Sequence, residues 1–72
     1  MSNFINEKYI VNFNVPKVLQ ESIDMAEKAD KENDYGTYAV YADNIDILAK
    51  NCCADGSLTK DMWDTLAKRF AL

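Results

Sequence analysis

Residues 9–15, Tyr-Ile-Val-Asn-Phe-Asn-Val, alternate apolar and other side chains with a period of two and run into Pro16, after which the apolar patterns have helical spacing. The reading is a single β-strand ahead of a helical chain. A lone strand leaves N–H and C=O groups unpaired along both edges. It therefore calls for a second strand, and a second copy of the chain is the expected source: a homodimer built on Tyr9, Val11, Phe13 and Val15. The alternative is a one-chain particle in which Tyr9, Val11 and Phe13 fold back on the helices and no ribbon forms.

Three amphipathic helices are expected to follow, at 16–33, 37–51 and 59–70. In the first, Pro16 suits the opening position, with Asn14 or Val15 before it as the cap. Val18, Leu19, Ser22, Ile23, Met25, Ala26 and Ala29 share one face, at about 100° per residue. Glu21, Asp24, Glu27, Lys28 and Lys31 share the other. A polar break ends at Gly36, and Thr37 serves as N-cap of the second helix. Tyr38, Tyr41, Ala42, Ile45, Leu48, Ala49 and Cys52 form its broad core face, with Tyr35 exposed at the entrance. Val40 and Ile47 add an apolar stripe on the opposite side, so this helix is expected to be sandwiched, with the stripe in contact with the other subunit, as part of the dimer interface, or with a partner. Ala54-Asp55-Gly56-Ser57 makes a turn, and Thr59 caps a third helix that buries Met62, Trp63, Leu66, Ala67 and Phe70.

The chain of 72 residues reads as one small domain, 1–72, with a flexible arm at 1–8 from which Phe4 and Ile5 can dock. Apolar residues at 49% exceed what a disordered segment carries, so the chain is expected to fold. The N-terminus lacks a basic region followed by an apolar run, and no apolar stretch approaches the roughly 18–20 residues that span a bilayer. A soluble, cytoplasmic protein is expected.

No histidine occurs, which removes the commonest general base and metal ligand. Cys52 and Cys53 are adjacent, so they cannot staple distant segments and have no zinc spacing; buried, reduced thiols near a helix end are expected. The loop Asn51 to Met62 resembles half an EF-hand, with Asp55 and Gly56 at positions five and six, but Cys53 and Met62 stand where calcium needs oxygen. Asp43/Asp46 and Asp61/Asp64 have the spacing of paired carboxylates. Asp24/Lys28, Glu27/Lys31, Asp46/Lys50 and Asp64/Lys68 instead place an acid four residues before a lysine, the order of solvated ion-pair ladders. The expectation is no enzyme, no catalytic residue, no metal and no cofactor.

The order strand 9–15, Pro16, helix, glycine-containing break and second helix opened by Thr37 resembles the ribbon-helix-helix proteins over residues 9–51. The resemblance implies antiparallel strand pairing across a dimer, with Val11, Phe13 and Val15 inward. It also implies that Ile10, Asn12 and Asn14 form the face inserted into the DNA major groove. The stretch 54–66 is similar to the ends of small proteins encoded by prophages and mobile elements of Gram-positive bacteria, which implies a non-enzymatic accessory protein.

With twelve acidic and eight basic residues, the net charge of −4 repels phosphate backbones and favours basic partners. The leading expectation is an acidic protein that acts by binding another protein, such as an inhibitor of a host factor. Glu21, Asp24, Glu27 and Asp30 supply the face toward a basic partner. A ribbon-helix-helix transcriptional regulator is the alternative.

Overall fold

The computed structural model describes residues 2–72. Three helices follow one another, α1 (Lys17–Lys31), α2 (Tyr35–Asp55) and α3 (Lys60–Phe70), and no strand occurs among the described residues. The expected mainly helical class is present. The expected strand at 9–15 and its pairing are not. No helix is long and apolar enough to cross a membrane.

The helix ends show why the boundaries fall where they do. Pro16 is the N-cap of α1 rather than its first helical residue, and its carbonyl accepts the Gln20 N–H at 3.0 Å. The helix stops because Asn33 enters the left-handed region at φ 55°. The Asn33 N–H then reaches the Asp30 carbonyl and the Asp34 N–H the Ala29 carbonyl, at 3.2 and 2.9 Å, in a Schellman arrangement.

Asp34, not Thr37, caps α2: its Oδ1 accepts the Thr37 N–H at 3.2 Å, and that bond holds its carboxyl below the usual range. Gly36, expected in the break, therefore lies in the first turn of α2. At the far end α2 continues past Asn51 to Asp55, where Gly56 turns left-handed at φ 87° and the Ser57 N–H closes onto the Cys52 carbonyl at 2.8 Å. Thr59 caps α3 as expected, its hydroxyl accepting the Met62 N–H at 3.2 Å.

α2 packs against both α1 and α3. The core is Leu19 and Ile23 from α1, Ile45 from α2, and Leu66 and Phe70 from α3, all essentially inaccessible to solvent. Each such side chain contributes roughly 1.5–3 kcal/mol on burial. Ala26, Ala29 and Ala49 are buried beside them and let the helices approach closely.

The N-terminal segment supplies a fourth packing element. Ile5 is buried, and Phe4, Val11, Phe13 and Val15 pack partly buried against the helical core. Within the arm expected to be flexible at 1–8, the contacts to the helices come from residues 3–6, with Asn3, Phe4 and Ile5 bonded to Asp30 and Asn6 to Arg69; Met1 lies outside the described residues. Tyr9, Val11, Phe13 and Val15 turn toward their own chain, whereas Ile10, Asn12 and Asn14 are exposed. The alternation in the sequence is realised in full, but against helices rather than a second strand. The four residues assigned to a strand-paired dimer interface are used within one chain, and no ribbon carries Ile10, Asn12 and Asn14.

Candidate functional site

Three places in the fold have chemistry beyond ordinary packing: an anchor for the N-terminal segment, two uncovered stripes on the α1–α2 hairpin, and a cavity between α2 and α3.

The anchor is Asp30, near the end of α1. It is only 3% exposed, and its Oδ1 accepts the backbone N–H groups of Asn3, Phe4 and Ile5. Three successive amides converging on one carboxylate oxygen make a nest, here occupied by the protein's own side chain. Asn3 Nδ2 adds a bond to the Asp30 carbonyl at 2.6 Å.

Arg69 on α3 ties the same segment from the other side. Its Nη1 donates to the Tyr9 carbonyl at 2.8 Å, its Nη2 meets Glu27 Oε2 at 3.2 Å, and its own carbonyl accepts the Asn6 N–H at 2.9 Å. One guanidinium thus links the segment, α1 and α3. Its Nε is enclosed without a partner, as is Trp63 Nε1. An enclosed donor left unmet costs about 1–3 kcal/mol.

These contacts revise the proposed acidic face. Asp30 is buried in the nest and Glu27 is committed to Arg69, which leaves Glu21 and Asp24 exposed on α1. Two of the four expected ion-pair ladders form, Asp46–Lys50 at 3.2 Å and Asp64–Lys68 at 2.9 Å. Lys68 is held above its ordinary range by Asp64. Glu27 turns to Arg69 instead of Lys31, and Asp24 accepts from Gln20 Nε2.

The tyrosines divide by burial. Tyr38 is 5% exposed, and its hydroxyl donates to the Phe70 carbonyl at 3.0 Å. Burial, with Asp30 nearby, pushes its phenol above the ordinary range. Tyr41 is half-buried. Tyr35 is exposed and stands edge-on to Phe4, with ring centroids 5.2 Å apart.

Two apolar stripes, one on each helix of the hairpin, are uncovered. Val18 and Met25 on α1 and Val40 and Ile47 on α2 are 55%, 37%, 57% and 59% exposed, although each pair repeats at seven residues as a packing seam does. The short connection 32–34 folds α2 back along α1. Counted from Asn33, Met25 and Val40 lie eight and seven residues out, and Val18 and Ile47 fifteen and fourteen. The stripes therefore sit at matching heights along the hairpin. Val40 and Ile47 were assigned from the sequence. The sequence pattern puts Val18 and Met25 on the buried stripe of α1, whereas in the structure they lie at its uncovered margin.

The third place is a cavity of about 340 Å³ lined by Lys50, Cys53, Leu58, Lys60 and Trp63. Both cysteines are free thiols; Cys52 is buried, which pushes its thiol up, and Cys53 is half-buried at the cavity wall. The half EF-hand likeness ends in a turn instead: Asp55 Oδ1 accepts the Ser57 N–H at 2.8 Å, closing the corner. Among the described residues no group of three acidic or cysteine side chains converges as metal ligands would.

No protein-family model, no curated protein and no solved structure matches the chain.

Proposed function

We propose that this is a non-enzymatic binding protein that acts by holding another protein against the exposed stripes of the α1–α2 hairpin. The observation that carries the proposal is Val18, Met25, Val40 and Ile47, heptad-spaced on two paired helices and left in solvent. Exposed apolar side chains scattered singly are ordinary, but a heptad-spaced pair on each of two packed helices leaves two apolar stripes that a partner can cover.

The partner is a protein presenting an apolar patch bordered by basic side chains. The chain's charge of −4 steers such a surface toward it, and Glu21 and Asp24 remain exposed on the same helix as Val18 and Met25. An accessory protein that inhibits a host factor would operate in this way. A second copy of the chain covering Val40 and Ile47 is the competing occupant. The groove-reading alternative rested on a ribbon at 9–15, and no feature of the described residues favours it.

The test is a Val40→Lys/Ile47→Lys variant, whose stability should stay within about 0.5 kcal/mol of wild type because both side chains are exposed. Cross-linking in lysate of the source cells should recover from wild type a protein with a basic contact face that the variant loses. Recovery of the same protein by both would refute the docking role. Concentration-dependent mass for the isolated wild type, absent from the variant, would assign the face to self-association.

A further inference from the structure

We infer that the cavity between the end of α2 and the start of α3 binds a small apolar carboxylate. Its walls are Leu58, buried at the corner after Gly56, together with Trp63 and the Cys53 thiol, so its interior favours hydrocarbon or an aromatic ring. Two of the chain's eight basic side chains, Lys50 and Lys60, stand at its exposed rim. No carboxylate lines it, although twelve acidic residues are spread over 72 positions.

Lys60 opens α3, so the positive end of the helix adds to the ammonium groups at this point. The hydroxyl of Thr59 already takes the Met62 N–H, and the carbonyl of Thr59 accepts the Trp63 N–H at 3.0 Å. Lys60 has no ion pair among the described residues. Lys50 is bonded to Asp46 at 3.2 Å and keeps further donor capacity on its ammonium. The lining therefore offers cationic donors around an apolar hollow, and none of its side chains carries an oxygen acceptor for a cation or a sugar. The hollow is open to solvent on one side, and its volume of about 340 Å³ admits a small monoanion with an apolar body. This site is separate from the hairpin stripes, so it stands or falls independently of the docking role.

Trp63 is the only tryptophan in the chain and lines the cavity, so its indole N–H cross-peak in a ¹H–¹⁵N spectrum reads occupancy directly. Octanoate titrated into the full chain should move that peak saturably, with millimolar affinity expected for about ten non-hydrogen atoms at ordinary ligand efficiency. Lys60→Ala should weaken the affinity by about fivefold, the effect of one partly screened ion contact. Lys60→Arg should retain it, and Lys31→Ala, on α1, should not change it. n-Octanol should produce no more than a small part of the shift at equal concentration. Three results would overturn the assignment: no saturation, equal saturation by octanol, or a Lys60→Ala titration that overlays wild type. Lys60 is an exposed side chain, so the variants are expected to fold, and circular dichroism verifies that they do.

Discussion

Replacing Asp30 by alanine removes the acceptor for three amides at one stroke. Bonds to a charged group contribute about 1.5–3 kcal/mol each, and their simple sum would rival the whole stability of a chain this size, about 4–11 kcal/mol. The actual loss is smaller, because the N-terminal segment can lift away and hydrate the Asn3, Phe4 and Ile5 amides. What is then forfeited is the docking of that segment: the burial of Ile5, the contacts of the Phe4 ring with Tyr35 (edge-on) and Tyr38 (tilted), and the Asn6–Arg69 bond. Against this stands the recovered freedom of the backbone, about 1–2 kcal/mol per residue.

The net expectation for Asp30→Ala is about 3 kcal/mol of destabilisation. Asp30→Asn keeps a carbonyl acceptor but no charge and should lose about 1–2 kcal/mol. With a urea m-value of about 1 kcal/mol/M, the midpoints should fall by about 3 M and 1–2 M, followed by Trp63 fluorescence and far-ultraviolet circular dichroism. Hydrogen exchange should show the amides of residues 3–5 losing protection in both variants, which keeps the test decisive if the alanine variant fails to fold. A midpoint within 0.5 M of wild type for Asp30→Ala, with those amides still protected, would refute the anchoring role.

The two glycines should respond with opposite signs. Gly56→Ala should cost about 1 kcal/mol because φ is 87° there, although a methyl group would meet nothing within 4 Å; Gly36→Ala, in the first turn of α2 where the nearest atom is Asp34 Oδ1 at 3.9 Å, should stabilise by about 0.5–1 kcal/mol. Urea titration of both variants checks this. Tyr38→Phe should cost about 1–2 kcal/mol by leaving the Phe70 carbonyl unmet. The folded-state pKa of Tyr38 is raised above 10.0, so its contribution is intact below that pH and is lost as pH rises through the folded value. Wild type should therefore lose more stability than Tyr38→Phe between neutral pH and the alkaline range, and parallel curves would contradict the assignment.

Much of the helical layout was legible because long periodic stretches encode which face is buried. The period-two stretch at 9–15 identified correctly which side chains turn inward and which stay in solvent. What it could not encode was the surface they turn toward, since alternation describes a chain laid over helices as well as a strand in a sheet. The missing distinction lies in backbone hydrogen bonding. Asp30 was grouped with the exposed acids by charge type, yet it follows Ile23 by seven residues and Ala26 by four, positions on the buried stripe of α1. A carboxylate at such a position needs donors, and the nearest unpaired ones belong to the N-terminal segment. The start of α2 was misplaced because Asp34 and Thr37 are both good caps, and Asn33 rather than Gly36 took the left-handed turn that ended α1. The cavity at Lys60 and Trp63 left no trace in the pattern, because it joins residues on two helices across a corner.

The central claim is that residues 2–15 complete the fold of their own chain and so leave the hairpin stripes free for a partner. An isotope-filtered NOE experiment on an equimolar mixture of labelled and unlabelled protein tests it most directly. Contacts from Ile5, Val11 and Phe13 to the helical core should appear only within labelled molecules. Cross-chain contacts among residues 9–15, with the close interstrand Hα pairs of an antiparallel ribbon, would contradict it.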